Sequence, residues 1–210
     1  MIGIIDYGMS NLGSVSNAFA FLELPARIVE KPAQLKGCDA MVFPGQGAFG
    51  DCMAHLKEHD LDSPIRDWIG AGKPFFGICL GLQTLFEGSE ESPGTPGFGI
   101  LPGSVKKFQL SDEFKVPQIG WNNVVQKLPD CPLFHGVQDS AYFYFVHSFY
   151  VAPADAKIVA GETTYGMPYA SAVWKDNIMA VQFHPEKSQK IGLRLLRNFA
   201  DWAYERTQPV

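Results

Sequence analysis

A cysteine stands among glycines at Gly77-Ile78-Cys79-Leu80-Gly81, directly after the apolar run from Pro74 to Ile78. That run reads as a strand, and the residues after it read as a helix through Phe86. Cys79 therefore falls at a sharp strand-to-helix turn. Such a turn projects a reactive atom from strained backbone, and glycines two positions to either side relieve the crowding it creates. The first helical turn also favours negatively charged sulfur, because its free N–H groups and dipole stabilise anions. The amide of Leu80 would then point toward an oxyanion developing on an attacked carbonyl. A small thiol packed as an apolar residue is the competing reading of the same pentapeptide.

A second cluster lies far along the chain, at Val181-Gln182-Phe183-His184-Pro185-Glu186. Pro185 forces extended backbone at His184, which closes a predicted strand. A thiol nucleophile needs a base nearby, and the base needs a partner to fix its ring and support the imidazolium. His184 and Glu186 are residues of those types, although a strand-end histidine can also simply cap or pack. Cysteine, histidine and carboxylate together point to nucleophilic attack on a carbonyl.

The surrounding pattern shows what must position these groups. Met1 to Ile5 is a short apolar run ending at Asp6. Leu12, Val15, Phe19 and Leu22 then recur at helical spacing. Ala40 to Phe43 reads as a buried strand halted by Pro44-Gly45, and Asp62 to Ala71 as a helix. Gly88 to Gly103 is loop-like. Beyond it Gln118–Val125, Tyr142–Val146, Lys157–Thr163 and Ser171–Phe183 are β-prone, the last broken at Lys175-Asp176-Asn177 as a hairpin is. Ile191, Leu195, Phe199 and Trp202 mark a closing helix, with Ser188 as its expected cap. Alternating β and α followed by antiparallel β predicts an α/β fold: one three-layer domain over residues 1–210 with a central mixed, mostly parallel sheet.

Composition narrows the function classes. The 210 residues are 46% hydrophobic and 19% charged, with a formal net charge of −5, so no basic field exists to gather nucleic acid. The most apolar stretch, Ala141 to Ala152, is interrupted by His147 and Ser148 and is too short to span a bilayer. The N-terminal segment lacks the charged region of a signal peptide, and the expected location is cytoplasmic. Cys38, Cys52 and Cys131 have no base in sequence context and read as structural free thiols. His55 and His59 lack a third ligand, and Glu58 is misplaced for HExxH, so no metal is expected. Neither a P-loop lysine motif nor GxGxxG after a strand occurs, and no cofactor is expected.

The Cys79 elbow with His184 and Glu186 resembles the triad of class I glutamine amidotransferases, a flavodoxin-like fold. The resemblance implies that Cys79 attacks the side-chain amide of L-glutamine. Ammonia is released, and a glutamyl thioester is then hydrolysed. Pro44-Gly45-Gln46-Gly47 falls where that family carries its oxyanion strand. Gly45 and Gly47 let backbone approach the substrate, and the amides of Gln46 and Leu80 are the implied oxyanion donors. Read alone, the same tetrapeptide is a tight turn. Gln83 and the backbone at Ser148 and Phe149 are the implied binders of the glutamine head group.

Further segments narrow the likeness: Asp6-Tyr7-Gly8-Met9-Ser10-Asn11-Leu12, Pro117-Gln118-Ile119-Gly120-Trp121-Asn122, Tyr144-Phe145-Val146-His147-Ser148 and the run from Gln182 to Gln189. Together they are similar to the glutaminase subunits of imidazole glycerol phosphate synthases, over nearly the whole chain. That resemblance implies a heterodimer with a (βα)8-barrel cyclase that receives the ammonia. Trp121, Asn122 and Lys187 are then expected to face the partner. Ser10, Gln46, Gln118 and Phe149 depart from the glycine, valine, histidine and tyrosine frequent at those places. Another cysteine hydrolase of the same fold, or a non-catalytic binding module, remains an alternative reading of the sequence.

Overall fold

A computed structural model describes residues 1–8 and 12–207. Met9, Ser10 and Asn11, inside the motif that begins at Asp6, lie outside the described residues, as does the departure at Ser10. The first half runs β1 (Ile2–Ile5), α1 (Leu12–Phe21), β2 (Ala26–Val29), β3 (Ala40–Gly45), α2 (Phe49–Glu58), α3 (Asp62–Gly70), β4 (Phe75–Cys79) and α4 (Leu80–Gln83). The second half is mostly β. It runs β5 (Gly103–Lys107), β6 (Gln118–Gln126), β7 (Ala141–His147), β8 (Phe149–Pro153), β9 (Val159–Tyr165), β10 (Met167–Lys175), β11 (Ile178–Val181) and α5 (Gln189–Thr207).

Among the described residues the strands form one eleven-stranded mixed sheet, ordered β2-β1-β3-β4-β11-β10-β9-β6-β7, with β5 and β8 paired beside β10. The strands from β2 to β11 in that order run parallel; α1 connects β1 to β2, and α2 with α3 connects β3 to β4. Antiparallel pairing begins at the β10–β11 hairpin, at the expected break. In a parallel sheet all carboxyl ends lie along one edge, where α/β proteins place their ligands. Both β4, ending at Cys79, and β11, leading to His184, deliver their residues to that edge.

The parallel strands are buried on both faces, because alternate side chains point to opposite helical layers. Ile2, Ile4, Val42, Phe76, Ile78, Met179 and Val181 pack with Val15 and Phe19 of α1 and Leu195, Leu196 and Phe199 of α5. Ile5, Met41, Phe43, Phe75, Ile178 and Ala180 pack on the other side with Cys52, Met53 and Leu56 of α2 and Ile65, Trp68 and Ile69 of α3. Two cores thus clamp the sheet that carries the site. Among the described residues no helix is long and apolar enough to cross a membrane.

Three local expectations are corrected. β3 does not stop at Pro44-Gly45 but runs through them, pairing Pro44 with Ile78 and Gly45 with Cys79. Pairing with β1 ends at Val42, so Pro44 lies beyond the β1 ladder, a position that tolerates its missing N–H. The helix after Cys79 ends at Gln83 rather than Phe86, and the chain turns so that Thr84, Leu85 and Phe86 accept bonds from Phe98, Ile100 and Gly99. Ser188 does not cap α5 through its side chain. Its hydroxyl donates to the His184 carbonyl at 2.7 Å and accepts the Tyr144 N–H at 3.0 Å.

Candidate active site

Cys79 adopts φ 55° and ψ −105°, the left-handed region that a side-chain-bearing residue occupies only under strain. Its flanking glycines are obligatory on steric grounds. A Cβ at Gly81 would lie 2.0 Å from the Phe43 carbonyl oxygen, and one at Gly77 would lie 2.6 Å from the Gly81 carbonyl oxygen. The turn therefore folds tightly onto β3, and the parallel register sets Gly45 beside Cys79. Gln46 and Gly47 consequently leave β3 next to the elbow.

His184 follows β11 in extended conformation (φ −104°, ψ 93°), and Pro185–Lys187 then form a 3-10 turn that swings Glu186 back toward the ring. The His184 backbone is fixed by donation to the Tyr144 carbonyl at 2.9 Å. Its Nδ1 lies 2.8 Å from Glu186 Oε1, with both side chains buried. A carboxylate only accepts, so the shared proton sits on Nδ1 and neutral His184 presents Nε2 as a base. Nε2 has no aligned hydrogen bond, and Glu186 Oε2 is likewise unpartnered. Burial by itself would pull the imidazole pKa down. Charge and hydrogen bonding from Cys79, reinforced by Glu186, outweigh it and push the value up to about 10. The ring is thus poised to hold a proton beside Cys79.

One cavity of about 400 Å³ gathers these groups at the carboxyl edge of the sheet. Its walls include Cys79, His184, Gln46, Gly47, Leu80, Gln83, Ser148, Phe149 and Lys187. Gly45 lies beneath it, where an added Cβ would stand 2.6 Å from Leu80 Cβ. The Gln46 N–H is turned to the Tyr7 hydroxyl at 3.2 Å, so in this conformation it is engaged within the protein. Gln83 is buried, and its Nε2 donates to the Phe149 carbonyl and to Gln182 Oε1, both at 3.1 Å. The Phe149 carbonyl also accepts from His147 Nδ1 at 2.8 Å, and the Ser148 carbonyl accepts the Phe108 N–H. The part of Phe149 used here is its backbone, which carries no trace of the missing tyrosine hydroxyl.

Several residues at the site escaped the sequence reading. Gln182 donates from Nε2 to Cys79 Sγ at 3.5 Å, and Tyr7 holds Gln46. Both lie inside motifs that were visible, yet neither spacing nor residue type marks them. Glu91 lines the cavity from the Gly88–Gly103 segment and accepts the Phe49 N–H at 2.8 Å, opening α2. His147 is buried beside the site. Its Nε2 lies 3.3 Å from the Tyr169 hydroxyl, which donates to Gln118 Oε1 at 2.9 Å, so the glutamine at 118 has a defined partner. Burial pulls the His147 pKa down to about 4, against the bond to Phe149 and with the help of His184.

The residues expected to face a partner divide. Trp121 is 45% exposed, with Ile119 and Tyr142 more exposed still. Trp121 and Tyr142 border an apolar groove with Ile191 and Leu193 of α5. Lys187 sits at the cavity rather than in that groove, and among the described residues it has no ion pair. Asn122 is tied inward, its Nδ2 donating to the Thr164 carbonyl at 2.9 Å. Burial pushes the pKa of Cys52 up to about 12, despite a bond to Tyr7, and that of Cys131 up to about 11.

A family model for glutamine amidotransferase class-I matches residues 3–202, and the chain belongs to that family. Curated relatives refine the placement. The HisH subunit of imidazole glycerol phosphate synthase from Desulfitobacterium hafniense (strain DSM 10664 / DCB-2) is 48% identical over 205 residues, covering 98% of this chain and 96% of that one. The HisH subunit from Syntrophotalea carbinolica is 47% identical over 206 residues, covering 96% and 100%. Within the family, the chain falls among these HisH subunits. A solved glutamine amidotransferase shares the fold at a TM-score of 0.76 and 20% identity, covering 97% of this chain and 98% of that one.

Proposed function

We infer that the chain hydrolyses L-glutamine to glutamate and ammonia, and passes the ammonia to the cyclase subunit of an imidazole glycerol phosphate synthase in histidine biosynthesis. The observation that carries this reading is the meeting, in one cavity, of a strained cysteine and an imidazole bonded 2.8 Å to a buried carboxylate. Cys79 thiolate attacks the γ-carboxamide carbon. The carbonyl π electrons move to oxygen, and the amides of Leu80 and Gln46 receive the oxyanion. His184 gives its proton to the departing nitrogen as the C–N bond breaks, leaving a γ-glutamyl thioester. Neutral His184 then takes a proton from water. The resulting hydroxide attacks the thioester, and glutamate leaves as sulfur is released. Glu186 supports the imidazolium at each turn. Glu91, the carboxylate of the cavity wall, is suited to the substrate's α-ammonium.

The bond from Gln46 to Tyr7 supports a resting state in which one oxyanion donor faces away. Removing a single such donor costs about 3–4 kcal/mol of barrier, so weak turnover without the partner follows. The exposed Ile119–Trp121–Tyr142 patch continues along β6 from Pro117 at the cavity wall, and is the surface suited to the (βα)8-barrel. Co-purification with the cyclase, followed by a glutaminase assay with and without its acceptor substrate, tests the reading. Acceptor-stimulated ammonia release is expected. Hydrolysis indifferent to cyclase and acceptor would instead assign the chain to another glutaminase of this fold.

A further inference from the structure

Gln182 is fully buried between Cys79 and Gln83, and a chain of hydrogen bonds fixes which way its amide points. The Phe149 backbone carbonyl can only accept, so Gln83 must present Nε2 to it. The same nitrogen faces the Gln182 amide, so the Gln182 atom opposite it must be Oε1. Gln182 Nε2 is then left facing Cys79 Sγ at 3.5 Å. Reversing the Gln182 amide would set donor against donor at Gln83 and withdraw this N–H from the sulfur. The orientation is therefore imposed by backbone, two residues away from the thiol.

We propose that Gln182 is a positioning residue for the nucleophile: its amide N–H, oriented through Gln83 by the Phe149 carbonyl, holds the Cys79 sulfur and favours its anionic form. This inference rests on the reading of Cys79 as the nucleophile. An N–H donor bonds an anion more strongly than a neutral thiol, so it shifts the balance toward thiolate. His184 cannot serve that purpose throughout, because it gives its proton to the departing nitrogen. Gln182 is neutral and keeps its donor in every step. Gln83 has both N–H groups spent on protein partners, so it offers a substrate only Oε1, and any displacement of Gln83 is transmitted to the sulfur.

The test is the pH dependence of Cys79 alkylation by iodoacetamide in the full chain, with adducts mapped by mass spectrometry. Gln182→Met keeps the length and removes the donor. Gln182→Glu sets a carboxylate against the sulfur. Both are expected to move the half-maximal pH upward, with alkylation at pH 7 slowed about tenfold in Gln182→Met and further in Gln182→Glu. Gln83→Leu touches no sulfur contact but frees the Gln182 amide, and is expected to shift the profile the same way by less. In the cyclase complex, kcat should fall about tenfold in Gln182→Met while KM changes little. Profiles of folded Gln182→Met and Gln83→Leu that superimpose on the parent would overturn the proposal. If the parent chain instead labels Cys38, Cys52 or Cys131 as readily as Cys79, the nucleophile reading itself fails.

Discussion

The Tyr7 hydroxyl lies 3.2 Å from both the amide nitrogen and the carbonyl oxygen of Gln46, bonding to each. Tyr7 is wholly buried two residues beyond β1, with its ring edge-on to Phe43 at a centroid distance of 5.6 Å. It therefore provides a rigid anchor for the peptide that leaves β3 beside Cys79. Tyr7→Phe keeps the packing and removes the anchor, leaving the Gln46 N–H to seek the cavity. Glutamine hydrolysis by the chain alone should rise roughly fivefold, the equivalent of one neutral hydrogen bond of about 1 kcal/mol. A partner-free assay that shows a fall in kcat would contradict this role for Tyr7.

The raised pKa of His184 survives its burial because of Cys79 first and Glu186 second. Cys79→Ala should therefore move the His184 titration well below 10, as followed by its ring proton resonances. Glu186→Gln leaves a neutral partner that cannot support imidazolium, and kcat should drop by about 100-fold or more with KM little altered. An unmoved His184 titration in Cys79→Ala would mean that the two groups do not interact.

His147 is neutral when folded, and its pKa lies near 4 against an ordinary 6.5. Between those values the unfolded chain binds the proton that the native state refuses. Stability from this group is therefore complete above about 6.5 and fades as the pH falls toward 4. The slope approaches about 1.4 kcal/mol per pH unit for one proton. Urea midpoints measured from pH 7 to 4.5 should fall more steeply for the parent than for His147→Gln, which keeps an amide donor for the Phe149 carbonyl. Equal slopes would remove His147 from the acid response.

Trp121, Ile119 and Tyr142 leave large apolar side chains in solvent on two adjacent antiparallel strands. Aromatic anchors of this kind concentrate binding energy at interfaces. Trp121→Ala should weaken association with the cyclase by about 2 kcal/mol, read by titration calorimetry. Asn122→Ala should do less, because its amide is already bonded to Thr164. An unchanged affinity in Trp121→Ala would place the interface elsewhere.

Elements with a strong periodic signal were legible in the sequence, and those defined by neighbours were not. The Gly77–Gly81 elbow could be read because steric need writes glycines at fixed positions, and α5 because its apolar face recurs along nineteen residues. β5 and β8 escaped for opposite reasons. β5, Gly-Ser-Val-Lys-Lys, buries only Val105 and resembles loop, whereas β8 follows β7 across a single residue, Ser148, within one apolar stretch. The cysteine, histidine and carboxylate announced themselves by type. Tyr7 and Gln182 act through a hydroxyl and an amide whose partners are 39 and 103 residues away, a relation that only the sheet register creates.

The most direct measurement is covalent labelling of the chain in its cyclase complex with a glutamine-analogue electrophile, followed by peptide mapping. One adduct on Cys79 is expected, its formation slowed in Glu186→Gln and blocked by excess glutamine. Labelling spread equally over Cys38 or Cys52, or an adduct on Cys79 that glutamine does not prevent, would contradict the assignment of this cavity as the glutaminase site.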